Sequence, residues 1–222
     1  MRDPKSLRRF YETTEQIVTE VLTTAGLDKK GFRFSLVESY APRNYCVQYR
    51  ESDLAFLKRL LAEEGLFCWF EHQADAGETL GSHTLIIADA NSAFTANSQP
   101  RIRFTQAGAT LNEDALDRWH GLRQLDTVET HASSWDYRSL STRPQSAISA
   151  IDSGLHPKTA AWHDPGQYAW QNSAHGERML LNQRQAIDAR LKQFDGQGTV
   201  RSAAPGTIFT LADHPEHDRD DP

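Results

Sequence analysis

The stretch from Arg50 to Asp89 constrains the fold more than any other part of the chain. Ser52 has a side-chain oxygen suited to take an orphan N–H at a helix start, and Glu51 and Asp53 sit where the helix dipole favours acids. Leu54, Leu57, Leu60 and Leu61 form an apolar stripe at helical spacing, with Phe56 at its edge. Gly65 supplies the left-handed stop. Leu66 to Glu71 follows at once as a strand, and His83 to Ala88 reads as its returning partner in a hairpin. Along the first strand Leu66, Cys68 and Phe70 point one way, and Phe67, Trp69 and Glu71 the other. Apolar residues on both faces imply a strand covered on both sides, one of them by the preceding helix. Phe67, Trp69 and Phe70 are therefore read as core, and Arg50 to Asp89 as one helix–strand–strand unit.

Upstream, Thr13-Thr14-Glu15-Gln16 fits a capping box for a helix over Thr13 to Leu27, with Gly26 as its stop. Ile17, Val18, Val21 and Leu22 share one face. Phe32 to Val37 alternates like a strand, and Tyr45 to Tyr49 is a second candidate. The small, polar run Asn91 to Gln99 ahead of Pro100 is expected to mark a boundary. Beyond it, short strand-like runs recur at Arg101–Phe104, Trp119–Val128 and Ser133–Tyr137, the texture of an antiparallel β-domain. Residues 154–171 read as loop. His175 to Phe194 reads as a helix presenting Leu180, Ile187, Leu191 and Phe194. Val200 and Gly206 to Leu211 read as closing strands, and the acidic stretch from His214 as a mobile tail. The expected class is α+β. A helix and helix–strand–hairpin module over residues 1–98 precedes a mainly antiparallel, barrel-like module over 99–213. That second module carries one long helix near 175–194, and a flexible tail follows over 214–222.

Composition narrows the function classes. Net charge is −6, distributed as +3 over residues 1–50, −4 over 51–111 and −5 over 112–222. No basic stripe exists, so nucleic-acid binding has nothing to rest on. The longest apolar run, Leu66 to Phe70, is far short of the ~20 residues of a membrane span. Met1 to Lys5 leads into no apolar core, so no signal peptide is expected. Cys46 and Cys68 are then read as reduced, buried, small apolar residues.

No arrangement of residues specifies a catalyst. There is no zincin pair, no G-x-S-x-G elbow, no phosphate loop and no C-x-x-C. His72 and His83 flank the hairpin and can face each other across it, and they read as solvated. His214-Pro215-Glu216-His217 holds too few preformed ligands for a metal. His156 and His163 lie in the 154–171 loop with no carboxylate or nucleophile at a recognisable spacing. Glu63 and Glu64 point about 100° apart on a helix, and read as a solvated helix end. Arg59 is within reach of Glu51, and of Glu63 at i+4.

The run Tyr45-Cys46-Val47-Gln48-Tyr49-Arg50-Glu51-Ser52-Asp53-Leu54, then Phe56, Leu57, Arg59, Leu60, Glu63-Glu64-Gly65 and Phe70-Glu71-His72, strongly resembles VgrG. That family forms the spike of type VI secretion systems and is related to Rhs-associated spikes, phage baseplate hubs and late control protein D. His83-Thr84-Leu85 with Ala88-Asp89, Pro205-Gly206-Thr207, Phe209-Thr210-Leu211 and His214-Pro215 resemble its later hub region. The helix over Phe10 to Gly26 also matches. The resemblance implies a structural, non-catalytic, cofactor-free hub region that forms a homotrimer and docks on the Hcp tube. A PAAR-type tip and effectors are carried through parts that follow. It implies passage from the bacterial cytoplasm to the outside without a signal peptide. The motif residues Tyr49, Arg50, Glu51, Ser52, Asp53, Arg59, Glu63, Glu64, Gly65, Phe70, Glu71 and His72 are read as structural. Against the family pattern, most of the first barrel-like module, the last hub strand, the oligosaccharide-binding-like domain and the needle are expected to be missing. The alternatives are an adaptor binding an effector or tip protein through the 154–171 loop, and a metal-dependent hydrolase.

Overall fold

A computed structural model of the chain describes residues 7–74, 80–105, 113–152, 159–167 and 169–217. The chain divides into two compact units, Met1–Arg103 with Val200–Pro222, and Phe104–Thr199. The class is α+β, as expected. Among the described residues no sheet closes into a barrel; where a barrel-like module was expected, the strands form separate open sheets.

In the first unit, strand β1 (Arg8–Phe10) leads into helix α1 (Thr14–Thr24). The capping box forms as the sequence implies: Thr13 Oγ1 accepts from the Gln16 amide, and Gln16 Oε1 accepts from the Thr13 amide. Strand β2 (Phe32–Ser35) and strand β3 (Cys46–Gln48) precede helix α2 (Asp53–Glu64). Ser52 Oγ accepts from the Ala55 amide at 3.2 Å, and Gly65 ends α2 at φ 75°, a conformation that costs glycine nothing. Strand β4 (Phe67–Gln73) and strand β5 (Ser82–Ala88) then form the expected antiparallel hairpin, and β2 joins β5 in parallel.

The apolar faces of α1 and α2 meet over Phe10, Phe32, Cys46 and Ile87. Ile17, Val18, Val21 and Leu22 are buried from α1; Phe56, Leu57, Leu60 and Leu61 from α2. One expectation fails here. Phe56 lies inside the stripe, fully buried and stacked on Phe10 at 5.6 Å, whereas Leu54 is 49% exposed. The stripe follows 53, 56, 57, 60 and 61, the i, i+3, i+4 rule anchored on a buried Asp53. Sequence reading passed over Asp53 because it is charged.

The other face of the β4–β5 sheet carries Trp69, Ile86 and Ala88, with Phe67 and Phe94 against them. Both faces of this sheet are thus apolar, but coverage is incomplete along β4. Cys68 and Phe70 are exposed, correcting their reading as core, because β4 is an edge strand. Cys46 is buried and both thiols are free, as read. Asp89 closes the end of β5. Its carboxylate accepts from the amides of Val37 and Glu38, both at 2.9 Å, and from the Tyr40 hydroxyl. Partial burial opposes its charge, but these three donors overcome it and hold the carboxyl below its usual range.

Strand β6 (Thr95–Phe104) runs through Pro100, beside the expected boundary. On one side it pairs in parallel with strand β12, Thr207–Ala212, and that pairing shifts register between Ile208 and Thr210. Such an irregular ladder tolerates a residue that donates no hydrogen bond. Buried Asn97 donates to the Ser202 carbonyl and to Thr207 Oγ1. Gly206, at φ 76°, lies flat against Trp69; a Cβ there would fall 2.2 Å from the indole nitrogen. Val200, expected as strand, is not in one.

The second unit contains strands β7 (Ala115–Arg123), β8 (Glu129–Asp136), β9 (Ser141–Ile148) and β10 (Ala160–His163), helix α3 (Ser173–Leu191) and strand β11 (Lys192–Gly198). Strand β8 sits between antiparallel β9 and parallel β10. Strand β7 pairs antiparallel with β11. Three strands escaped the sequence reading, among them β11, which begins inside the stretch read as helix. Strand β9 is polar and contains Pro144; β10 lies within the stretch read as loop.

Helix α3 corrects another expectation. Its buried line is Gly176, Leu180, Arg184, Asp188 and Leu191. Ile187 is only half-buried, and Phe194 has passed into β11, stacked on Trp119 at 5.3 Å. Arg184 is fully buried, bonds Asp188 at 3.0 Å and donates to the Thr127 carbonyl. Asp188 accepts from Ser149 Oγ and the Ala150 amide. A charged pair thus stands where apolar residues were sought, its partners four apart on one helix.

The helix-face correction is testable by denaturant unfolding. Phe56→Ala is expected to cost about 3–5 kcal/mol. Leu54→Ala is expected to stay within about 0.5 kcal/mol. Equal costs would contradict the placement.

Candidate functional site

The motif residues concentrate where β3 turns into α2, and there the structure builds a lattice of matched charges. Alternation along β3 sends Cys46 and Gln48 inward. The same alternation along β1, paired antiparallel with β3, sends Arg8 and Phe10 inward. Gln48 is fully buried and donates to the Glu51 carbonyl and to Asp53 Oδ1 at 2.9 Å. Arg8 Nε donates to Gln48 Oε1, and its Nη2 pairs with the same Asp53 oxygen. Asp53, expected only to complement the helix dipole, is therefore an internal anchor that holds β1, β3 and α2 together.

A second anchor sits at the other end of α2. Arg43 Nη1 bonds Glu63 and Nη2 bonds Glu64, both at 2.7 Å. Its Nε donates to Thr14 Oγ1, which itself donates to Glu64. Glu63 is exposed but paired, and Glu64 is drawn out of solvent. The Glu64 side chain is only 9% exposed. Burial works against the Arg43 charge, but the bond to Glu63 and the nearby charges of both acids outweigh it and raise its pKa.

Arg59 links the two anchors along the helix surface. It pairs with Glu51 at 2.6 Å and with Glu63 at 3.0 Å, and donates to the Val47 carbonyl. The reach proposed from sequence is realised to both acids. The bond to Glu51 dominates in holding the guanidinium protonated.

The remaining motif residues lie elsewhere. Tyr49 and Arg50 face outward, with the guanidinium over the Tyr49 ring at 5.3 Å and Arg50 at φ 50°. Ser52 and Gly65 cap α2 at its two ends. Glu71 makes a two-pronged bond with Arg33, both arms 2.8 Å, on the sheet surface. Phe70 and His72 project from the same edge strand. His72 faces His83 across the hairpin as expected, with rings 6.2 Å apart, both exposed. Arg8, Thr14, Arg43 and Gln48 were missed by sequence reading. A polar Gln48 at an inward period-2 position was the one available signal.

The other candidates remain scattered. His163 is exposed at the end of β10, and His156 lies outside the described residues. His214 is buried, its Nδ1 accepting from the amides of Glu216 and His217, so its ring closes a turn. No group of three or more His, Cys, Asp or Glu able to hold a metal occurs among the described residues. No helix among them is long and apolar enough to cross a membrane.

The family model for the phage tail baseplate hub (GPD) matches residues 10–222, and the chain belongs to that family. It is 28% identical over 216 residues to the type VI secretion system spike protein VgrG4b of Pseudomonas aeruginosa. That alignment covers 94% of this chain and 25% of the relative. It is 38% identical over 130 residues to the actin cross-linking toxin VgrG1 of Vibrio cholerae, covering 57% of this chain and 11% of that protein. Among solved structures, the E. coli c3393 protein matches at TM-score 0.59 and 16% identity, over 98% of this chain and 44% of that one. It is described as a type VI secretion component similar to the T4 tail proteins gp27 and gp5. The chain therefore spans about a quarter of the length of the spike relative.

The two anchors differ in burial from the surface link, and stability measurements should separate them. Arg43→Met leaves Glu64 buried without its cation and is expected to cost about 2–4 kcal/mol. Arg59→Met, at a screened site, is expected to cost less than about 1 kcal/mol. Chemical denaturation of the two variants checks the order.

Proposed function

We propose that this chain is the hub portion of a type VI secretion spike, a structural element without catalysis. In that role it assembles as a homotrimer and docks on the Hcp tube. Regions of the full spike beyond this portion carry the PAAR-type tip and effectors, and the assembly leaves the bacterial cytoplasm through the secretion apparatus. The observation that carries this reading is the family match across residues 10–222. The geometry of the motif adds support. Glu51, Asp53, Glu63 and Glu64 are bonded to Arg59, Arg8 and Arg43, so these carboxylates are engaged in pairing. In this reading Tyr49 to His72 persist as a fold element, not as an active site.

The test is the solution mass by light scattering behind size exclusion, followed by co-elution with purified Hcp. A mass near three times 25.0 kDa, with Hcp co-eluting, is expected. A monomer that does not associate with Hcp would overturn the proposal.

A further inference from the structure

The β1–β3 ribbon has two faces, and the fold covers one of them. The inward face supplies Phe10 and Cys46 to the core and Arg8 and Gln48 to the first anchor. The outward face carries Tyr11 and Tyr45, whose rings touch at 5.8 Å beyond the Phe10–Cys46 pair. At the other end, Leu7 and Tyr49 flank the Arg8–Gln48 pair. Tyr11 and Tyr45 are 58% exposed, Tyr49 57% and Leu7 46%. An antiparallel ribbon can leave one face to water, but aromatic side chains gathered on that face mark an interaction site. Tyrosine and arginine are also the residues most enriched where binding energy concentrates.

Charge identifies the occupant. Arg9 lies between the two tyrosine ends on the outward face, and Arg50 stacks over Tyr49. Neither has an acidic partner among the described residues. The nearest motif acids are already taken, Glu51 by Arg59 and Asp53 by Arg8. Two free guanidiniums set in an aromatic patch, with the local carboxylates engaged, fit a ligand that brings its own carboxylates. Among the described residues both strands of the ribbon pair only with each other, which suits an extended ligand lying along it.

We propose that the outward face of the β1–β3 ribbon docks an acidic, extended protein segment, with Tyr11, Tyr45 and Tyr49 as apolar anchors and Arg9 and Arg50 as carboxylate-binding groups. The inference does not depend on the hub reading.

Fluorescence anisotropy tests it with a labelled short peptide alternating Glu with Val, against the matching peptide alternating Lys with Val. The Glu peptide is expected to bind at least about tenfold more tightly than the Lys peptide, a difference of about 1.4 kcal/mol. Its affinity should fall as salt rises from about 0.05 to 0.5 M. The Arg9→Ser/Arg50→Asn double variant should bind at least about tenfold more weakly. Both sites are exposed, and Asn suits the positive φ at position 50, so the fold is expected to survive; circular dichroism checks this. Equal binding of the two peptides, binding unchanged in the double variant, or no binding of either peptide would overturn the proposal. Self-association abolished by Tyr45→Ser would overturn it in favour of a second copy of this chain. A trimer mass retained by the double variant leaves the hub reading standing whatever the peptide result.

Discussion

Arg43 holds the first unit together. Its guanidinium reaches Thr14 at the start of α1 and Glu63 and Glu64 at the end of α2. Two antiparallel helix ends are thereby fixed in register at the rim of a purely apolar contact. The apolar contact supplies most of the driving force, since burial is non-directional and roughly proportional to area. It does not by itself say how far one helix slides along the other. The charged bonds add that directional information, because each needs a particular geometry. The Arg8–Asp53–Gln48 anchor does the same at the start of α2, fixing the ribbon against the helix.

The two units distribute polarity differently. In the first, buried Asp53 and Gln48 and the Arg43–Glu64 pair lie at the two ends of α2, beside a larger apolar core. In the second, Arg184 and Asp188 lie inside, with Leu180, Ala132, Ala147 and Trp170 forming a small apolar cluster beside them. A buried pair of this kind contributes little net stability. Its bonds to Thr127, Ser149 and Ala150 instead tie α3 to the loops around β8 and β9.

How much of this was legible in the sequence depended on whether the signal was local. Caps and periodicities were: Thr13 with Gln16, Ser52 and Gly65 placed both helices of the first unit within a few residues. Alternation paired His72 with His83 across a hairpin separated by a loop. Features that depend on residues distant in sequence were not legible. Nothing near Arg43 announces that Glu63 and Glu64 will meet it, since loop closure brings them together. Phe56 and Leu54 are both apolar, and only the buried Asp53 tells which of them faces the core. Arg184 and Asp188 broke the apolar stripe of α3 because each pairs with the other. Strand β9 escaped because its residues are polar on both faces and its pairing with β8 supplies the order.

The central claim is that the charged anchors make α1 and α2 one cooperative unit. Native-state hydrogen exchange on the wild type and on Arg43→Met tests it most directly. The account predicts that the opening free energies of the α1 amides Val18 to Leu22 and the α2 amides Leu57 to Leu61 fall together and by the same amount. A drop confined to one helix, or in neither, would contradict it.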